Sequence, residues 1–183
     1  MDKKYIKELK EWVKDIIIAV IVAVIILQFI KPTFVKETSM LPTLQEYNFL
    51  FLSKQSYFFR EPERGDIIVF HTDLKTQNGD KKMLIKRVIG LPGENIHIED
   101  GQVIIDGGVL EETYTMEPYT SGYVDTMKIP DDSLFVMGDN RQNSIDSRDA
   151  SIGLVKIKDV YGKAVFRLYP FNKIGLLDKL AEL

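Results

Sequence analysis

The sequence predicts a mainly β protein: a single N-terminal transmembrane helix followed by a β-rich domain. Three observations carry this. Residues 16–30 hold fourteen apolar side chains and Gln28, with no charge, glycine or proline. Beyond them the pattern changes to short runs rich in Val, Ile and Phe, each bounded by turn residues. Between two of these runs stands Asp100-Gly101, a two-residue hairpin signal.

The chain has 183 residues, room for one domain and an appendage. Its 24 basic and 27 acidic residues are interspersed, giving a net charge of −3 and no basic stripe suited to a phosphate backbone, so nucleic acid is not an expected partner. Cysteine is absent, which excludes disulfides, thiolate nucleophiles and Cys-based zinc sites. With only His71 and His97 besides, no metal or cofactor is expected. Oligomeric state is not legible.

As a helix, residues 16–30 rise about 22 Å, short of a roughly 30 Å hydrocarbon core. Trp12 and Phe34 flank the run, and Lys14 and Lys31 can extend their ammonium groups to either interface. A cleavable leader would need a small-x-small site after the run, where Lys31-Pro32-Thr33-Phe34 stands instead. A buried core helix would need a polar face. The expectation is therefore a cytoplasmic N-terminus (1–14), a transmembrane anchor (15–34) and an extracytoplasmic domain (35–183). Lys3, Lys4, Lys7, Lys10 and Lys14, against Lys31 and Lys36, set that orientation at the cell membrane.

Strands are expected at Phe49–Ser53, Asp66–Phe70, Met83–Ile89, Asn95–Glu99, Gln102–Asp106, Ser133–Met137 and Tyr161–Leu168. Seven short strands with few helical stretches imply an antiparallel domain. Thr113–Met127 lacks pattern and reads as a long excursion. The tail Phe171–Leu183 places Ile174, Leu177 and Leu180 near one helical face and predicts a terminal helix, packed on the domain or lying on the membrane.

For chemistry, His97 alternates with apolar Ile96 and Ile98 and reads as a solvent-facing strand residue, while His71 ends a strand. Neither recommends a histidine-based triad. Gly138–Asp149 is the densest polar patch. Alone it reads as a surface loop of Asx turns or as an Asp/Ser/Arg network holding a neighbouring group; a calcium loop would need a Gly and a terminal bidentate Glu that are missing.

Three segments decide together: Thr38-Ser39-Met40-Leu41-Pro42-Thr43-Leu44, then Lys86-Arg87-Val88-Ile89-Gly90-Leu91-Pro92-Gly93-Glu94, then Gly138 to Arg148. In this order behind a membrane anchor they closely resemble the signature segments of bacterial type I signal peptidases, a Ser/Lys-dyad family. The resemblance covers nearly the whole chain. It implies a membrane-bound serine endopeptidase that removes N-terminal signal peptides from exported preproteins after Ala-x-Ala-like sites, through an acyl-enzyme. Its partners would be those signal peptides and the lipid bilayer.

By that resemblance Ser39 is the nucleophile and Lys86 the general base. Lysine can take a proton only when neutral, so its pKa must fall by about 2 to 3 units from 10.4, and the apolar neighbours of Lys86 could desolvate it. Ser144 would orient the amine, Asp146 and Arg148 would brace one wall, and Arg87 and Asp139 would form a second pair. The Ser39 backbone N–H would be the first oxyanion donor. Some family members carry serine, and many glycine, two residues before the nucleophile; here Glu37 stands there and cannot donate. Thr38 is the remaining candidate for a second donor. Substrate would add as a strand between Phe34, Val35, Lys36, Glu37 and Thr38 on one side and Met83, Leu84 and Ile85 on the other, with Ile68 and Phe70 lining the pockets. The aromatic cluster from Tyr47 to Leu52 and at Tyr57–Phe59 is either core or a surface dipping into the bilayer.

Two rivals stand beside this. One is a noncatalytic membrane-anchored β domain that binds an extracellular partner. The other is a Ser/Lys self-cleaving repressor, which would carry a DNA-binding domain in place of the anchor.

Overall fold

A computed structural model describes residues 3–58, 60–76 and 78–177. Helix α1 (Lys3–Phe29) leads directly into β1 (Ile30–Phe34), where Pro32 sits on an edge strand and needs no ladder donor. Among the described residues no helix is long and apolar enough to cross a membrane. The side chains of residues 25–27, inside the apolar part of α1, lie outside the described set. Trp12, Val13, Ile16–Ile18 and Val20–Val22 are all exposed. The helix ends before the 34th residue because Ile30–Phe34 pair with β2 (Phe49–Ser53) in register Ile30↔Ser53 to Phe34↔Phe49.

The larger sheet also takes β3 (Ile67–Lys75), β4 (Lys81–Gly90), β9 (Ser133–Met137), β10 (Val155–Lys156) and β11 (Val160–Tyr169). Its order is β1-β2-β11-β3-β4-β9-β10, antiparallel throughout, with β12 (Gly175–Leu176) added on β11. The smaller sheet joins β5 (Asn95–Glu99), β6 (Gln102–Ile105), β7 (Gly108–Val109) and β8 (Val124–Lys128) in the order β7-β6-β5-β8. Asp100 (φ 50°) and Gly101 (φ 79°) turn β5 into β6 with both central residues left-handed, as a two-residue hairpin requires.

Alternation divides the core into three clusters. Leu50, Leu52, Ile67, Val69 and Ala164 pack with Val35, Met40, Leu44 and Leu177 on one face of the large sheet. Ile68, Phe70, Leu84, Val88 and Val136 fill the other. The third cluster, with Ile89, Ile96, Ile98 and Phe135, joins the two sheets.

Two expectations are corrected. The tail forms no helix as far as it is described: Phe171–Lys173 is a single 3-10 turn, and Gly175–Leu176 pairs with Phe166 and Arg167 while Leu177 enters the core. Backbone pairing with an available edge outweighs helical spacing in so short a segment. Residues 178–183, with Leu180, lie outside the described set. The supposed excursion Thr113–Met127 ends in β8, whose Val124 and Met127 pack against the third cluster.

Candidate active site

Ser39 follows a backbone run held to the core by reciprocal bonds: Val35 N–H donates to Asn48 O (3.0 Å) and Tyr47 N–H to Val35 O (2.9 Å). After it, Leu41 N–H bonds Thr38 O (3.1 Å) and Leu44 N–H bonds Met40 O (2.8 Å), closing a compact turn. Met40 and Leu44 anchor this turn from below, both fully buried and each contributing about 2 kcal/mol of burial.

Lys86 lies on β4, on the same face as Leu84 and Val88 and paired across the ladder with Ile68, all buried. Its Nζ lies 2.6 Å from Ser39 Oγ. Both residues are buried, Lys86 to 1% exposure. Burial lowers the amine's pKa to about 8 and Lys82 adds to the lowering, while the charges of Asp146, Glu37 and Asp139 oppose it. At pH 7 about a tenth of such an amine is neutral, against well under a thousandth for an ordinary lysine.

Arg87 points to the opposite face. It bonds Asp139 twice (Nε–Oδ1 2.8 Å, Nη2–Oδ2 2.7 Å), donates to Gly65 O (3.0 Å) and Thr43 Oγ1 (3.2 Å), and lies 4.0 Å from the centroid of the Tyr114 ring. Asp146 accepts two bonds from the Arg148 guanidinium (2.8 and 2.9 Å), one from the Arg148 backbone N–H (3.3 Å) and one from Gly138 N–H (3.0 Å). Burial alone would raise the Asp146 carboxyl; Arg148, Ser144 and the Gly138 N–H outweigh it and hold the group below its ordinary value.

Ser144 departs from the expected arrangement. Its Oγ is buried without a well-formed hydrogen bond, and the Lys86 amine is engaged by Ser39 instead. The hydroxyl sits near enough to Asp146 to help stabilise that carboxylate, but the geometry is too poor to count as a bond. Gly138 explains the crowding, since a Cβ there would collide with Ser144 Oγ and with Ser39 O.

Glu37 turns aside from the dyad to pair with Lys82 at 2.5 Å. Lys36, Glu37, Thr38, Ser39, Lys82 and Leu84 line one cavity, together with Asn143 and Ile145. A neighbouring, more apolar cavity is lined by Phe34, Val35, Lys36 and Glu37, by Met83, Leu84 and Ile85, and by Val69. Val69 lines this cavity, while Ile68 and Phe70 stand across the ladder from Lys86 and Leu84 and pack with Leu84 in the second cluster. The β9 ladder on β4 begins only at Arg87, so that edge of β4 is not taken by β9 at Met83–Ile85.

Asn140 and Asn143 went unrecognised in the sequence. Asn140 N–H bonds Ser39 O (3.1 Å), its amide reaches Thr38 O (3.4 Å), and the Asn143 amide reaches Thr38 Oγ1 (3.3 Å). Only their place in the polar segment pointed to them. Neither histidine lines the cavity containing Ser39. His71 packs edge-on against Tyr161 at 5.6 Å, and His97 pairs with Ile104 in the small sheet. Among the described residues no group of three His, Asp or Glu converges as a metal site.

The family model described as signal peptidase, peptidase S26, matches residues 9–169. A signal peptidase I of Leptolyngbya laminosa is 43% identical over 92% of this chain and 84% of its own length. A signal peptidase I of Bacillus licheniformis is 39% identical over 92% of each chain. A crystal structure of a signal peptidase I from Enterococcus faecalis V583 aligns at 33% identity and a TM-score of 0.46, over 57% of this chain and 97% of that one. From the family match and the two sequence relatives it follows that the chain belongs to the signal peptidase family, peptidase S26, and is a peptidase of the signal peptidase I type.

Proposed function

We propose that this chain is a membrane-bound endopeptidase that cuts signal peptides from exported preproteins after small-x-small sites, with Ser39 as nucleophile and Lys86 as general base. The observation that carries the reading is the 2.6 Å contact between a buried, partly neutral amine and the serine hydroxyl. Ser39 Oγ attacks the scissile carbonyl as its proton passes to Lys86 Nζ. The oxyanion is met by the Ser39 backbone N–H, and Lys86 then returns the proton to the leaving amine of the mature protein. The signal peptide stays on Ser39 as an ester until a water, deprotonated by Lys86, releases it. Arg87–Asp139 and Asp146–Arg148 are positioning pairs, and Asn140 and Asn143 hold the turn that carries Ser39.

The cavity along residues 34–37 and the edge of β4 suit a substrate added as a strand, with small side chains directed inward. Anchoring is supported by the charge-free run 16–30, of which residues 16–29 lie in the 27-residue α1, and by the exposed side chains of Ile16–Ile18 and Val20–Val22. A row of rings continues from its end, Phe34 against Phe49 (4.7 Å) and Phe49 against Phe51 (5.5 Å), suited to a membrane interface. The lysine bias places the N-terminus in the cytoplasm and the β domain outside.

The test is cleavage of a purified preprotein with an Ala-x-Ala site by the full chain in detergent, beside Ser39→Ala and Lys86→Ala, from pH 6 to 10. Cutting by the unaltered chain alone, rising through about pH 8, is the expected result. Activity in Lys86→Ala, or none in the unaltered chain, sinks the reading.

A further inference from the structure

We infer that the Glu37–Lys82 ion pair is a specificity-determining bridge that excludes charged side chains from the peptide groove beside Ser39; the inference rests on the peptidase reading above. Glu37 stands two residues before Ser39, and Lys82 stands on β4 four residues before Lys86. Their carboxylate and ammonium are 2.5 Å apart, with 43% and 35% of the side chains exposed. The pair therefore ties together the two segments that border the groove.

Its position gives it leverage over substrate. Glu37 and Lys82 line both the cavity of about 350 Å³ that contains Ser39 and the cavity of about 320 Å³ floored by Val35, Val69 and Ile85. The bridge thus stands where the two cavities meet, and a peptide laid along β4 at 83–85 passes it. A substrate carboxylate arriving there gains Lys82 but is repelled by Glu37, and a substrate ammonium meets the reverse. Either loses hydration without a free counter-charge, so the intact pair favours uncharged residues. Remove one partner and the other becomes a receptor for the opposite charge.

The same pairing protects the dyad. Glu37 raises the pKa of Lys86 and Lys82 lowers it, beside the larger effect of burial and the raising effects of Asp146 and Asp139. Held together, the two charges oppose each other at the amine, so an acidic residue two positions from the nucleophile is tolerated.

The experiment uses the full chain in detergent and synthetic peptides bearing one Ala-x-Ala site, with Ala, Asp or Lys placed in turn at each of five positions before the cut. In the unaltered chain, Ala should surpass both charges at the position beside the bridge. Glu37→Gln should raise the Asp-to-Lys ratio of kcat/KM there by about fivefold, and Lys82→Gln should lower it by about as much, the size of a half-exposed charge pair. The swapped double variant, Glu37→Lys with Lys82→Glu, should restore the original ratio, which a merely disrupted fold would not do. The acid limb of the rate should move down in Glu37→Gln and up in Lys82→Gln. Unchanged ratios in both single variants, while the unaltered chain still cuts, overturn the bridge and leave the peptidase reading standing. An unaltered chain that cuts no peptide overturns both.

Discussion

Strand β4 carries two cations side by side, Lys86 and Arg87, each 1% exposed, and the two faces of the strand treat them in opposite ways. Arg87 meets a bidentate carboxylate, a carbonyl, a hydroxyl and an aromatic ring. Lys86 meets a serine hydroxyl, and among the described residues no carboxylate lies within ion-pairing distance of it. A buried charge whose counter-charge is supplied serves the fold. One whose counter-charge is withheld gives up its proton readily, and the pKa near 8 is the measure of that.

Breaking the satisfied side should have the largest effect. Asp139→Ala strands a guanidinium in the interior and is expected to cost about 3 to 5 kcal/mol, read as a lowered denaturation midpoint of the full chain in detergent. Stability unchanged within about 1 kcal/mol would mean that the Arg87 pair contributes little to the fold.

The unsatisfied side predicts the opposite sign. Below pH 8 the folded chain must keep Lys86 charged in a buried place, so Lys86→Met is expected to raise stability by up to about 3 kcal/mol at pH 7. Between the folded value near 8 and the ordinary 10.5, the unfolded chain binds the extra proton. The unaltered chain therefore gains stability as pH rises through that window, and the advantage of the variant fades. Paired melts at pH 7 and pH 10 check this, and an equal gain at both would contradict a lowered lysine pKa.

Geometry on the nucleophile's side can be sharpened with Gly138→Ala. Its methyl would push on Ser39 O and Ser144 Oγ, displacing Ser39 from Lys86. A loss of about a hundredfold in kcat, at little cost in substrate KM, is expected from steady-state peptide cleavage. Full activity would show that the turn yields without moving the hydroxyl.

Local pattern made much of this legible. Phe49–Ser53, Asn95–Glu99 and Ser133–Met137 are strands with the bounds that alternation and turn residues predict, and Asp100-Gly101 makes the hairpin its chemistry requires. Failures lie where pairing overrode local preference. Ile30–Phe34, expected as the end of the anchor, joins the sheet as an edge strand, and Gly175–Leu176 forsakes helical spacing to pair with β11.

By itself, then, the sequence determined the kinds of group available: one serine and one lysine in recognisable settings, an acidic residue where a donor was wanted, and strands enough to bury a lysine. Only the tertiary structure decided which groups meet. Lys86 bonds Ser39 while the Ser144 hydroxyl makes no well-formed hydrogen bond, Glu37 is drawn off by Lys82, and two asparagines grip the Ser39 turn. Those contacts join residues far apart in the chain, and their energies come from burial and ladder register, which no local window of sequence contains.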